Sequence, residues 1–206
     1  MLLLSLYMTA CIAHAGTVTA KLVDKANAPL ADVVLYATPI GVTAAPTPVS
    51  SEPVTIAQEG LQFSPYVTPV RVGTAIRFPN YDHLEHHVKS FSPAKQFEIK
   101  IYESGTPPPV VFDKTGVVVI YCLLHEWMRA YVYVIDTPYF AKSAETGTAS
   151  INGLKEGTYE IRAWHPDMGS IKPPLMQTIK VSDKGISAVN FAFDFLPKKR
   201  KPAKKN

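Results

Sequence analysis

A chain of 206 residues, 47% hydrophobic and 18% charged, has the length of one large domain or two small ones and the balance of an ordinary globular protein. Eighteen prolines against eleven glycines argue against long helices and for a strand-rich chain with many turns. The formal charge of +4 is concentrated at one end. Six cations lie between Pro197 and Asn206, and setting these six of 21 aside leaves 15 basic against 17 acidic residues, so nothing in the body calls for a nucleic acid.

In chain order, Leu2 to Ala13 form an apolar run too short to span a bilayer, followed by the small-x-small pattern Ala13-His14-Ala15. Residues 1–15 are therefore expected to be a signal peptide, although no Lys or Arg precedes Lys21. The same run could also form a buried first strand, and Thr9-Ala10-Cys11 loosely resembles a lipoprotein cleavage box. The signal reading implies a periplasmic or secreted chain with no transmembrane segment in its mature form. Cleavage would remove Cys11 and leave Cys122 alone. A lone cysteine makes no internal disulfide, so in an oxidising space it is either a buried apolar residue or a metal ligand.

Strand signals follow. Thr17 to Leu22 alternates polar and apolar residues, and Val33 to Tyr36 is a short apolar run. Gly41 to Pro53, rich in Thr, Ala, Pro and Ser, reads as a linker. Val70, Val72, Ile76 and Phe78 are expected on one face of a strand pair. Val110 to Phe112 and Val117 to Cys122 are expected to form a hairpin around Asp113-Lys114-Thr115-Gly116. Tyr131 to Ile135 is another strand, with a boundary at Asp136-Thr137-Pro138. Further strands are expected at Ala149–Ile151, Gly157–Ala163, Gln177–Val181 and Val189–Phe195. About ten strands make the chain all-β. The tail, 197–206, reads as basic, disordered and solvated.

The sharpest chemical feature is Cys122-Leu123-Leu124-His125-Glu126-Trp127-Met128, at the end of an apolar strand. A thiolate, an imidazole and a thioether fall within seven residues. Upstream stand Phe78-Pro79-Asn80 and then His86-His87-Val88. Two imidazoles and one thiolate in a plane, with a weak thioether on the axis, suit both Cu(I) and Cu(II). A donor set tolerable to both oxidation states needs little rearrangement when an electron moves. Strand alternation puts His86 and His87 on opposite faces. His83 is expected to face solvent, and Asp82, Glu85 and Glu126 are expected to be solvated charges flanking the site. Trp127, Tyr131 and Tyr133 read as packing, and Trp164-His165-Pro166 as a strand end rather than a second metal site.

Residues 54–136 resemble the cupredoxins: plastocyanins, pseudoazurins and, most closely in loop length, amicyanins. The resemblance rests on Phe78, Asn80 and His86, and on Cys122, His125 and Met128. It implies a Greek-key β-sandwich binding one copper ion, Cu(I)/Cu(II), through His86, Cys122, His125 and Met128. It also implies single-electron exchange with redox proteins of the cell envelope, the electron leaving at the His125 edge. Four ligands leave no open position for a substrate, so an enzyme is not expected. The family usually carries Asn after its first ligand, where this chain has His87. That imidazole is expected either to brace the cysteine loop or to replace His86. Segments 16–40 and 137–196 resemble the two halves of a smaller prealbumin-like (carboxypeptidase regulatory-like) β-sandwich, in which or beside which the central block would sit. The whole chain resembles bacterial proteins described as methylamine-utilisation or plastocyanin-like. Two other readings remain at this point: copper delivery without redox turnover, and a structural envelope module with a zinc-filled or vestigial site.

Overall fold

The computed structural model describes residues 15–42, 48–183 and 185–203. The expected signal segment, with Cys11, thus lies almost wholly outside the described residues. Among the described residues no helix is long and apolar enough to cross a membrane. The structure is all-β. The first part holds β1 (Gly16–Val23) and β2 (Val34–Pro39). The middle holds β3 (Val54–Thr55), β4 (Ala57–Glu59), β5 (Gln62–Ser64), β6 (Val67–Arg71), β7 (Thr74–Arg77), β8 (His86–Ser92), β9 (Lys95–Tyr102), β10 (Val110–Phe112), β11 (Gly116–Tyr121) and β12 (Arg129–Ile135). The rest holds β13 (Phe140–Lys142), β14 (Thr148–Leu154), β15 (Gly157–Trp164), β16 (Leu175–Val181) and β17 (Ile186–Ala192).

The strands stack as layers, and period-two alternation explains which residues fill each gap. A three-stranded sheet, β14-β1-β17, faces a four-stranded sheet, β13-β2-β15-β16. Val18, Ala20 and Leu22 of β1 meet Leu35 and Ala37 of β2 and Ile161 and Ala163 of β15 in a first core. The opposite side of β2 and β15 is also covered: Val34, Tyr36 and Trp164 pack on Val67, Tyr131 and Ile135. Two buried faces explain why β2 reads as an unbroken apolar run rather than an alternating one.

Beyond this seam lies the five-stranded sheet β6-β12-β11-β8-β9. Val117 and Val119 of β11 lean on the seam, whereas Val118, Ile120 and the following Cys122 point into a second core. That core is closed by Ile76 and Phe78 from the sheet β10-β7-β3, and by Ile56, Leu61 and Phe63 around the β4–β5 hairpin.

Two expected pairings are corrected. Val70 and Ile76 do face one core, but β6 pairs with β12 and β7 with β10, so the chain changes sheets at Val72-Gly73. Likewise β10 and β11 do not form a hairpin: β10 lies against β7 and β11 against β12. Asp113 to Gly116 crosses from one sheet to the other. The described residues of the tail, 197–203, are exposed and make surface contacts. Lys198 donates its backbone N–H to Asp167 at 2.8 Å, the Arg200 guanidinium stacks on Tyr66 and pairs with Asp32, and Lys201 lies over the Trp127 ring.

Candidate metal centre

The site grows from two loops at one end of the second core. Strand β11 delivers Cys122 inward, and the chain turns back at once into β12. The turn is closed by the Met128 N–H donating to the His125 carbonyl at 2.8 Å and the Cys122 N–H donating to the Met128 carbonyl at 3.2 Å. These bonds hold Cys122, His125 and Met128 on one tight arch. Met128 is fully buried in the second core.

His86 arrives from the neighbouring strand, β8. A register irregularity between His86 and Val88 breaks the simple alternation there. His86 is wholly buried and presents Nδ1 to the Cys122 sulfur at 3.8 Å, while His125 presents Nδ1 at 3.6 Å. The two rings meet edge to face, with centroids 5.0 Å apart. Among the described residues, His86, Cys122 and His125 are the group of three metal-ligating side chains whose donor atoms lie within 4.8 Å of one another. Metal–sulfur and metal–nitrogen bonds of about 2.3 and 2.0 Å meeting at a trigonal angle separate their donor atoms by about 3.7 Å. The two observed distances bracket that value, so the donors fit a single soft or borderline metal ion.

The sulfur sits in a field that favours the thiolate. Burial pushes the Cys122 thiol up, but hydrogen bonds from His86, from the backbone N–H groups of His87 and Leu124, and from His125 outweigh it. The thiol is pulled down to about 6. For His86, burial acts to lower the pKa. Its hydrogen bonds to Cys122 and to Asp82 act the other way and hold it above the ordinary imidazole value.

The residues around the donors depart from the sequence reading in two places. Asp82 is not a solvated loop charge. It is buried, its carboxylate lies 2.8 Å from His86 Nε2, and it accepts the backbone N–H groups of Gly60 and Leu61. The His87 side chain does not brace the cysteine loop, nor does it replace His86. It turns away to Glu98, at 2.8 Å, while its backbone N–H reaches the sulfur. Asn80 holds the intervening loop: its side-chain amide donates to the carbonyls of Leu84 and Glu103, and its oxygen accepts from the Asp82 N–H. The donor type and spacing of Cys122, His125 and His86 are plain in the chain. Asp82 is not, because its partners Gly60 and Leu61 stand more than twenty residues away.

His165 lies apart from this centre. It accepts from the Asp167 N–H at the start of a short 3-10 turn, Pro166–Met168, in keeping with the strand-end reading. Around His125 the surface is mixed: half-exposed Leu84 and Leu124 stand with His83, Glu85 and Glu103 about a shallow cleft.

No family model matches the sequence, and no curated protein matches it. Solved structures resemble part of the chain. A purple cupredoxin from Nitrosopumilus maritimus is 24% identical over 40% of this chain and 99% of its own, with a TM-score of 0.36. A copper-containing nitrite reductase from Thermus scotoductus is 23% identical over 48% of this chain and 25% of its own, with a TM-score of 0.40. A Cu(I) form of an amicyanin variant is 17% identical over 48% of this chain and 99% of its own, with a TM-score of 0.37.

Proposed function

We propose that this chain binds one copper ion through His86 Nδ1, Cys122 Sγ and His125 Nδ1, with Met128 as the weak axial donor, and that it carries single electrons between redox proteins. The observation that carries the reading is the convergence of two imidazole nitrogens on one buried sulfur, 3.6 and 3.8 Å away. Copper, when bound, supplies a one-electron couple, and a mixed imidazole–thiolate–thioether set accepts both its oxidation states.

The chain's own part is to hold the donors still and dry. Cys122 enters as a thiolate because two backbone N–H groups and two imidazoles already favour its charge. The bonds that close the 122–128 arch fix three of the four donors relative to one another. His86 is anchored from behind by Asp82. His125 stands at the rim beside half-exposed Leu84 and Leu124, with Glu85 and Glu103 next to them, a surface suited to brief contact with a redox partner. On this reading the protein is an electron carrier and not an enzyme, exported to the cell envelope. Residues 54–136 form the copper-binding module. Residues 16–40 with 137–196 form a second, prealbumin-like module that supports it, the copper module being inserted between β2 and β13.

The test is the visible spectrum on adding Cu(II). The wild type is expected to develop an intense thiolate-to-copper band with reversible bleaching on one-electron reduction, and Cys122→Ser is expected to lose the band. A wild type that stays colourless, or a band that survives in Cys122→Ser, overturns the reading.

A further inference from the structure

The β4–β5 hairpin has only two residues at its tip, Gly60 and Leu61, and both have positive φ, 61° and 58°. A two-residue hairpin with both central residues in this region is a type I′ turn, and a branched, bulky residue such as Leu seldom takes that conformation. Leu61 does so here with its side chain buried in the second core. The conformation turns both tip N–H groups the same way, onto Asp82: Gly60 donates to Oδ1 at 2.6 Å and Leu61 to Oδ2 at 3.0 Å. The Leu61 carbonyl, on the same tip, accepts the Trp127 indole N–H at 3.2 Å. The hairpin therefore grips the loop that carries His86 and the arch that carries Cys122, His125 and Met128.

We infer that Asp82 is a positioning residue for the metal centre, held by the Gly60–Leu61 tip, which fixes the His86 ring with its proton on Nε2 and its lone pair on Nδ1. The inference deepens the copper reading and rests on His86 being a ligand. The carboxylate lies 2.8 Å from Nε2, and both its oxygens already accept backbone donors. An ionised carboxylate offers only acceptors, so the contact with Nε2 requires the ring to donate there. The hydrogen bond from Nδ1 to the sulfur belongs to the protonated ring of the metal-free protein. The neutral ring has one N–H, and keeping it on Nε2 against Asp82 leaves Nδ1 as the bare donor atom facing Cys122. A buried carboxylate behind a ligating imidazole also raises the basicity of the ring toward a metal.

Two measurements on the full chain test this. The first needs no metal. Nitrogen NMR of the metal-free protein, at a pH where the ring is neutral, is expected to show His86 protonated on Nε2, and Asp82→Ala to spread it over both tautomers. A proton on Nδ1 in the wild type, or an unchanged tautomer in Asp82→Ala, overturns the inference. The second is copper titration with potentiometry. Asp82→Ala is expected to weaken Cu(II) binding about 10–100-fold. Asp82→Asn, which keeps an acceptor and loses the charge, is expected to recover part of that affinity while its reduction potential rises, because less negative charge stabilises Cu(II). Unchanged affinity and potential in both variants overturn the inference. If Asp82→Ala does not fold, the wild-type tautomer and the Asp82→Asn potential decide it. If the wild type takes no copper, the binding reading falls while the tautomer measurement still judges Asp82.

Discussion

Cys122 concentrates the chemistry of the chain on one atom. Its pKa of about 6, against an ordinary value of 9.0, means that folding favours the thiolate. A depressed folded-state pKa adds stability that is fully present above about 9 and is lost as the pH falls toward 6. In the metal-free protein the ultraviolet absorbance of the thiolate, measured against Cys122→Ser, should therefore rise with a midpoint near 6. Over the same fall in pH, the stability advantage of wild type over Cys122→Ser should shrink. A midpoint near 9 would mean that the His86, His87 and Leu124 donors do not act on the sulfur as described. At this scale the sequence was generous with donor types: Cys, His and Met at short spacing limit the candidate chemistry sharply. It was silent on orientation. That His87 turns to Glu98 while its backbone serves the sulfur depends on the irregular pairing of β8 with β9, which no residue identity announces.

Among the elements, those buried on one regular face were legible. Alternation in β1 and the apolar run in β11 place their core residues correctly. Strand β9 was missed although Phe97-Glu98-Ile99-Lys100-Ile101 alternates cleanly, and β8 was read only at His86-His87, its polar residues giving no apolar run. The false hairpin of β10 and β11 arose from a turn-like Asp113 to Gly116 segment that in fact spans two sheets. Turn chemistry also decides the loop before β14. Gly147 has φ of 67°, and a Cβ there would lie 2.6 Å from the Leu22 carbonyl oxygen and 2.9 Å from the Leu30 nitrogen. Gly147→Ala should cost about 1–3 kcal/mol from backbone strain alone, and more with the clash, seen as a lower urea midpoint. An unchanged midpoint would show that the loop relaxes freely. The copper centre proposed above, in the other core, should keep its spectrum.

For the whole molecule, the decisive feature is the seam between the two sandwiches. Trp164 is 1% exposed there, stacked edge to face on Tyr131 and Tyr133, and its indole N–H donates to the Gly169 carbonyl at 2.8 Å. Sheet β13-β2-β15-β16 and sheet β6-β12-β11-β8-β9 each cover the other's outer face through this cluster. Trp164→Ala should cost about 3–5 kcal/mol in urea or thermal unfolding, because the seam cannot collapse onto the space left by an indole. A loss below about 1 kcal/mol would place the mechanical link elsewhere. The basic tail crosses the same boundary, with Arg200 pairing with Asp32 of one sandwich while stacking on Tyr66 of the other.

Composition and local pattern alone settled the strand-rich character, the apolar faces of the regular strands and the kinds of atom available for a metal. These are properties of single residues and of neighbours two or three positions apart, and they survive without knowledge of where the chain goes next. Sheet pairing, the doubly covered strand β2, the surface contacts of the tail and the Asp82 anchor emerged only in three dimensions. Each joins groups distant along the chain, and their meeting is set by which faces can be buried together, a condition met by the assembled layers and written in no single segment.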